Sequence, residues 1–523
     1  MFALPLLVSA AVAQGAAPAS RRPAGPAAEF IAMVTIDANA QSMPYSPMLF
    51  GGFIEHFDRQ IYGGLFEPGS PLSDASGFRK DVIAAMKELK LSVVRWPGGC
   101  FASGYHWKDG VGKARKPVAD PVWGVTDNNT FGTDEFVKWC RLVGCQPYIC
   151  TNAGNGTPEE MRQWVEYCNA AKGRYAELRK ANGSENPFNV KYWSIGNENY
   201  GYWEIGRKTP DKWGPMVHQC AEMMRAVDPS IELAAAAWLD KREWDVPLLK
   251  AAGADLKYMA VHSYWHNTGK PILYKDCIRF NAAPEKMIAS VVKIIEEAGL
   301  RGKIKIAYDE WNLRHWHHPG FPRKGVVSPD DEKAAEFIAQ RKANDVAEQY
   351  TMADALFTAS FLNACLRHCD DVGMANIAPI VNTRGPLYVH PKGVVRRTTF
   401  HALAMYANEL EERVIPFKLE AGGDSNRARN LDAVATTDAS GKRWAIALVN
   451  LDPSAAVACT VRIGDRLPDG TFDATVLAGD SPDAYNDVEH PDRVVPEKKR
   501  LTLKQGVALL PPHSLTIVRI SGK

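Results

Sequence analysis

Two short motifs place carboxylates where they could do acid–base work. Trp-Ser-Ile-Gly-Asn-Glu-Asn at 193–199 ends an apolar run with Asn197 and Glu198, and Ile-Ala-Tyr-Asp-Glu-Trp-Asn at 306–312 ends another with Asp309, Glu310 and Trp311. Breaking a glycosidic bond needs one protonated carboxyl to assist the leaving group and one ionised carboxylate to attack the sugar or activate water. Two glutamates can divide that work if the fold brings them face to face. Taken alone, a Glu at a strand end is most often a surface or loop-anchoring carboxylate. Only elements that hold the pair face to face would make them catalytic.

Those elements repeat along the chain. Eight short β-branched or apolar runs, at 48–57, 91–99, 145–154, 190–199, 231–238, 256–265, 303–312 and 373–381, each end in polar, aromatic or glycine residues. Amphipathic helical patterns lie between them, as Phe78, Val82, Ile83, Met86 and Leu89 illustrate at helical spacing. Further helices fit 134–144, 157–180, 210–227, 284–299 and 344–369. Strand and helix in alternation, eight times, predict an α/β fold, a (β/α)8 TIM barrel spanning 48–400. Because each run is apolar first and polar last, reactive side chains collect at the C-terminal mouth, where the ends of runs four and seven face each other. Beyond 400 the pattern becomes short alternating strands broken by Asp, Gly and Pro, which predicts a C-terminal β-sandwich over 401–523. The strand-like piece at 29–39, within 29–47, has no helix of its own and is expected to join that sandwich.

Composition narrows the class of partner. Of 523 residues 46% are hydrophobic, and 62 Lys plus Arg nearly balance 60 Asp plus Glu, so no positive field exists to hold nucleic acid or an anionic membrane. Residues 1–28 read as a signal peptide cut after Ala13 followed by a small-residue, Pro-rich linker, an expectation of a secreted or periplasmic protein. The ten cysteines lie in apolar segments and are expected to be mostly buried free thiols. Their spacings fit no zinc or redox motif, so neither a metal nor a cofactor is expected. His315, His317 and His318 cluster in a Pro-rich loop that fits the wall of a site better than a metal centre.

Four motifs, in order, carry a resemblance: 52–70 (GFIEHFDRQIYGGLFEPGS), 95–112 (RWPGGCFASGYHWKDGVG), 193–199 and 308–312. They resemble glycoside hydrolase family 51, the α-L-arabinofuranosidases, over about 48–400. The resemblance implies a retaining, exo-acting enzyme on arabinose-containing oligo- or polysaccharides, with Glu198 as acid/base and Glu310 as nucleophile. It also implies that Glu55 and Arg95 bind the terminal sugar, that Asn197 holds its 2-hydroxyl, and that Tyr264 bonds the nucleophile. Trp123 and Trp203 would line the mouth, His262 and Trp311 would contact substrate, and a homo-oligomer is suggested. Arg95 near Glu310 would favour its ionised form while partial burial keeps Glu198 protonated.

In two places the chain leaves the family pattern. Cys100 stands where Asn is usual and Pro379 where Gln is common, so a weak donor and a non-donor replace amides that would face sugar hydroxyls. Asp309, next to Glu310 on an alternating strand, is expected to point away from the mouth as a structural residue. Glu67 and Asp58 read as loop charges. Other readings are a same-clan hydrolase on another glycan, such as an endo-xylanase, endo-glucanase or hexofuranosidase, and a binding protein without chemistry. The insertions at 106–131 and 312–340 favour a walled pocket and the removal of single terminal residues over an open cleft.

Overall fold

The computed structural model describes residues 30–124, 126–266, 273–314, 345–422 and 430–521. Eight strands close into a barrel: β1 (Gly51–Phe53), β2 (Val93–Trp96), β3 (Gln146–Thr151), β4 (Tyr192–Ile195), β5 (Glu232–Ala236), β6 (Tyr258–His266), β7 (Lys305–Arg314) and β8 (Val372–Ile377). Neighbours pair in parallel all the way round, from Gly52 opposite Val94 to Asn376 opposite Gly51 at closure. Each strand overlaps a run legible in the sequence, three of them running one or two residues past its end or start. Parallel strands covered by helices are buried on both faces, which is why these runs are nearly continuous in apolar residues.

Large and small side chains alternate to fill the interior: Val93, Tyr148, Tyr192, Ala234, Tyr258, Ala260, Ala307 and Met374 form one cluster inside the barrel. Outside, the helices pack their apolar stripes on the strands. Two helix boundaries differ from expectation. The segment expected as one helix at 157–180 is two, Pro158–Asn169 and Arg174–Ala181, because Gly173 takes φ +122° and breaks the helical path between them. The helix expected from 344 begins at Met352, where the Thr351 hydroxyl accepts from the Ala353 N–H and Asp354 reaches back to Thr351. Arg242–Ala252 and Thr398–Glu409 are further helices that the expected set did not include.

Two antiparallel-rich sheets follow. One orders Phe417–Gly422, Phe30–Ile36, Val457–Ile463 and Val507–Leu510, the early strand running parallel to Val457–Ile463. The other has seven strands, with Arg443–Asn450 and Ser514–Ser521 central. Val34, Ile36, Cys459 and Val461 from the first sheet share a buried core with Ala433, Ile446, Leu448 and Val518 from the second, the packing of a β-sandwich. All ten cysteines are unpaired and buried. No helix among the described residues is long and apolar enough to cross a membrane.

Candidate active site

The site is built around a buried arginine. Arg95, near the end of β2, is 0% exposed, and its guanidinium reaches β7, the turn just after β4 and Cys150 on β3. Nη1 donates to Glu310 Oε1 at 2.7 Å, Nη2 donates to Asn197 Oδ1 at 2.9 Å, and Nε lies 3.1 Å from Asp309 Oδ2. A guanidinium suits this position because its planar donors serve several acceptors in fixed directions. Immediately after β2 the chain must pass between two carboxylates. A Cβ on Gly98, whose φ is +153°, would lie 2.4 Å from Glu55 Cγ, and one on Gly99 would lie 2.6 Å from Glu310 Oε1. Only glycine fits either place.

Strand β7 brings in Glu310 together with Asp309. Val261 pairs with Tyr308 but His262 pairs with Glu310, so Asp309 is an extra residue in a bulge. The bulge turns both carboxylates inward. Asp309 is fully buried against Arg95, the Tyr148 hydroxyl at 3.2 Å and His262 Nε2 at 3.1 Å. This corrects the expectation, from simple alternation, that Asp309 points away. Glu310 takes the Tyr264 hydroxyl on Oε2 at 2.7 Å. Arg95 and Tyr264 thus serve one oxygen each of the same carboxylate.

Glu198 follows β4 at φ +40°, a left-handed conformation uncommon for glutamate and of the kind that persists where surrounding structure enforces it. Its Oε1 lies 2.8 Å from His262 Nδ1, and its Oε2 accepts from the Trp203 indole N–H at 2.6 Å. The same imidazole nitrogen is 3.6 Å from Glu310 Oε1. The two glutamate oxygens are therefore no further apart than the sum of those distances, about 6.4 Å.

Electrostatics separate the groups. Burial works against a charge on His262, but Glu310 and Asp309 outweigh it and hold the imidazole well above its ordinary range. Burial likewise works against ionised Asp309, yet Arg95 and His262 keep it below the usual carboxylate range. Glu55 moves the other way: burial, then the charge of Glu310, pushes it well above that range. Its Oε1 accepts from the Phe101 N–H at 2.9 Å and the Trp123 indole at 3.2 Å. A protonated Glu55 could donate to a sugar hydroxyl.

Glu55, Arg95, Cys100, Asn197, Glu198, Trp203, His262, Tyr264 and Glu310 are drawn into this one cluster. Three side chains are placed differently from expectation. Trp123 is 2% exposed and lies under Glu55 against Phe57, because Asp120 accepts the backbone N–H groups of Val122 and Trp123 and folds the turn inward. Trp311, next along β7 after Glu310, faces outward and stacks on Phe361 at 3.8 Å, so it is barrel core and not a sugar contact. His262, expected to contact substrate, bridges Glu198 and Asp309. His315, His317 and His318 lie outside the described residues.

Sequence reasoning missed Glu204. This carboxyl is 6% exposed; Oε2 accepts from the Ser103 hydroxyl at 2.5 Å and Oε1 from the Asn197 amide at 2.9 Å. Its oxygens, those of Glu198 and the Cys100 sulfur include atoms that lie within 4.8 Å of one another. The one available signal was its place in Gly-Tyr-Trp-Glu-Ile-Gly at 201–206, a turn closely following Glu198.

Comparison with known proteins gives a consistent relationship. Residues 85–279 match the α-L-arabinofuranosidase 1 domain and residues 309–514 the α-L-arabinofuranosidase C-terminal domain. The chain is 32% identical to α-L-arabinofuranosidase C of Emericella nidulans, across 93% of this chain and 97% of the relative. It is 33% identical to an intracellular exo-α-(1→5)-L-arabinofuranosidase of Halalkalibacterium halodurans, across 72% and 75%. An α-L-arabinofuranosidase of Thermotoga maritima solved as an arabinose complex superposes with a TM-score of 0.82 at 30% identity, covering 94% of this chain and all of that one. With its barrel, its sandwich and these relatives, the chain belongs to the α-L-arabinofuranosidases of glycoside hydrolase family 51.

Proposed function

We propose that this protein is a retaining, exo-acting glycoside hydrolase that releases terminal α-L-arabinofuranosyl residues from plant-type poly- or oligosaccharides. The observation that carries the reading is the approach of Glu198 and Glu310 to one imidazole nitrogen, which limits their nearest oxygens to about 6.4 Å. Inverting enzymes hold their carboxyls roughly 6.5 to 9.5 Å apart to seat a water, whereas retaining ones keep them about 5 to 5.5 Å apart.

In the first step a Glu310 oxygen attacks the anomeric carbon and the bond to the leaving oxygen breaks, while the Glu198 proton passes to that oxygen. In the second, water attacks the same carbon, Glu198 takes its proton, and the sugar–Glu310 ester bond breaks. Two inversions restore the starting configuration. Arg95 and Tyr264 orient Glu310 as an acceptor-only carboxylate, and Trp203 and His262 hold Glu198. Segment 106–124, folded down onto Glu55 through Trp123, fits a walled pocket for one terminal sugar. Export through residues 1–13 and assembly as a homo-oligomer are part of the same proposal.

A panel of nitrophenyl glycosides tests the substrate class. Preference for α-L-arabinofuranoside over β-D-xyloside, β-D-galactofuranoside and β-D-glucoside is expected. A hexofuranoside or a β-glycoside ranking first would overturn the reading.

A further inference from the structure

Glu198 must be protonated in the first step and ionised in the second, and the donors His262 and Trp203 favour the ionised form. His262 lies against one oxygen and Trp203 donates to the other, and His262 is itself held as a cation. Neighbouring anions favour the proton: Glu310, which shares the His262 nitrogen with Glu198, and Glu204, whose carboxyl lies within 4.8 Å of that of Glu198, beside Cys100. Glu204 touches no reacting atom.

We propose that Glu204 is a positioning residue whose negative charge holds the proton on Glu198 while its oxygens lock the Asn197 amide in place. This rests on the reading of Glu198 as the acid/base. The Asn197 amide is held at both ends, Nδ2 donating to Glu204 and Oδ1 accepting from Arg95, whose other arm grips Glu310. Glu204 is therefore linked to both halves of the catalytic pair, to Glu198 through space and to Glu310 through three hydrogen bonds in series. Ser103 anchors it, and the Cys100 thiol also donates to it.

Cys100 faces Glu204 from the 100–103 turn, and Glu198 faces it from the end of β4. His262 of β6 and Glu310 of β7 face Glu198, as do Tyr200 and Tyr264. Burial, then the charge of Glu198, pushes Glu204 up to about 7. The repulsion is mutual, so the pair gives up its last proton at higher pH than either carboxyl would alone, and Glu204 as the anion leaves that proton on Glu198. The two carboxyls titrate as a pair.

The test is the pH dependence of kcat/KM for the full chain and for E204Q, on an arabinofuranoside with a poor leaving group. The alkaline limb in E204Q should move to lower pH by about one unit, a tenfold lower rate at a fixed pH on that limb. KM should rise as well, because a single amide oxygen cannot accept from Ser103, Asn197 and Cys100 together. On a nitrophenyl substrate the limb should move much less. E204D keeps the charge and should hold the wild-type limb while still raising KM, and it decides the matter where the amide variant does not fold. Superimposable normalised profiles for wild type and E204Q, or an E204D limb displaced as far as expected for E204Q, would overturn the inference while leaving the functional reading intact. An inactive wild-type protein on every arabinofuranoside would instead overturn the functional reading and this inference with it.

Discussion

Removing the Glu198 side chain should separate substrates by the leaving group they carry. The carboxyl accepts the Trp203 indole at 2.6 Å and lies 2.8 Å from His262, so Glu198→Ala vacates a space between two donors that water can refill. The barrel scaffold should survive, since β4 ends before Glu198. General acid assistance is worth about 10²- to 10⁴-fold where the leaving oxygen needs a proton, or roughly 3 to 5 kcal/mol of barrier. Methyl α-L-arabinofuranoside should lose that factor in its first step. A nitrophenolate departs without a proton, so formation of its glycosyl-enzyme should slow by less than about tenfold. Hydrolysis of the intermediate should then limit turnover, because no base remains to activate water. Azide needs no base and can enter the vacated space, so it should raise steady-state turnover of the nitrophenyl substrate and yield a glycosyl azide of retained configuration. Stopped-flow bursts of nitrophenol, steady-state rates with and without azide, and proton NMR of the azide product measure each part. Equal first-step losses on both substrates, with no azide effect, would refute the assignment of Glu198.

Three further outcomes follow from the geometry. Asp309→Asn removes the anion shared by Arg95 and His262; breaking a buried ion pair costs about 3 to 5 kcal/mol, which denaturant unfolding should register together with a fall in kcat. Trp311→Ala should lose about 3 to 5 kcal/mol of stability by vacating its stack on Phe361, yet leave KM of the folded enzyme within about twofold, because the ring faces the helix and not the sugar. Burial pushes Asp120 up to about 6, Glu204 to about 7 and Asp245 to about 8, all above their unfolded values. The folded state then binds more protons than the unfolded one across that window, so stability falls as pH rises. Calorimetry should find a lower melting temperature near pH 8.5 than near pH 5.5, and a higher one would contradict these shifts.

Much of this architecture was legible because local pattern and global fold agree. Each barrel strand is an apolar run buried on both faces, and each reactive side chain lies at or just beyond a strand end, so Glu198 and Glu310 could be paired from sequence alone. The misreadings have physical causes. Strict alternation put Asp309 outside, but a bulge where β7 pairs with β6 turns it in beside Glu310; Trp311 was assigned to substrate through the family resemblance, and it stacks outward on Phe361 instead. Trp123 was assigned to the mouth through the family resemblance. Its burial depends on Asp120 capping two backbone N–H groups, a local turn that composition does not announce. Glu204 escaped notice because a single Glu in a glycine-bounded turn looks like a surface charge. Only the fold brings Ser103, Asn197 and Cys100 around it.

The central claim is that Glu310 forms a covalent bond to the sugar, and it can be tested on that bond. Full-length Glu198→Ala protein, mixed with an excess of nitrophenyl α-L-arabinofuranoside, should accumulate the intermediate, since its formation needs little acid and its hydrolysis lacks a base. Acid quenching, proteolysis and peptide mass spectrometry should find one anhydropentosyl unit added to the peptide that carries Glu310, with fragmentation placing it on that residue. An adduct on Asp309 or another carboxylate would contradict the account. So would no adduct together with a released sugar of inverted configuration.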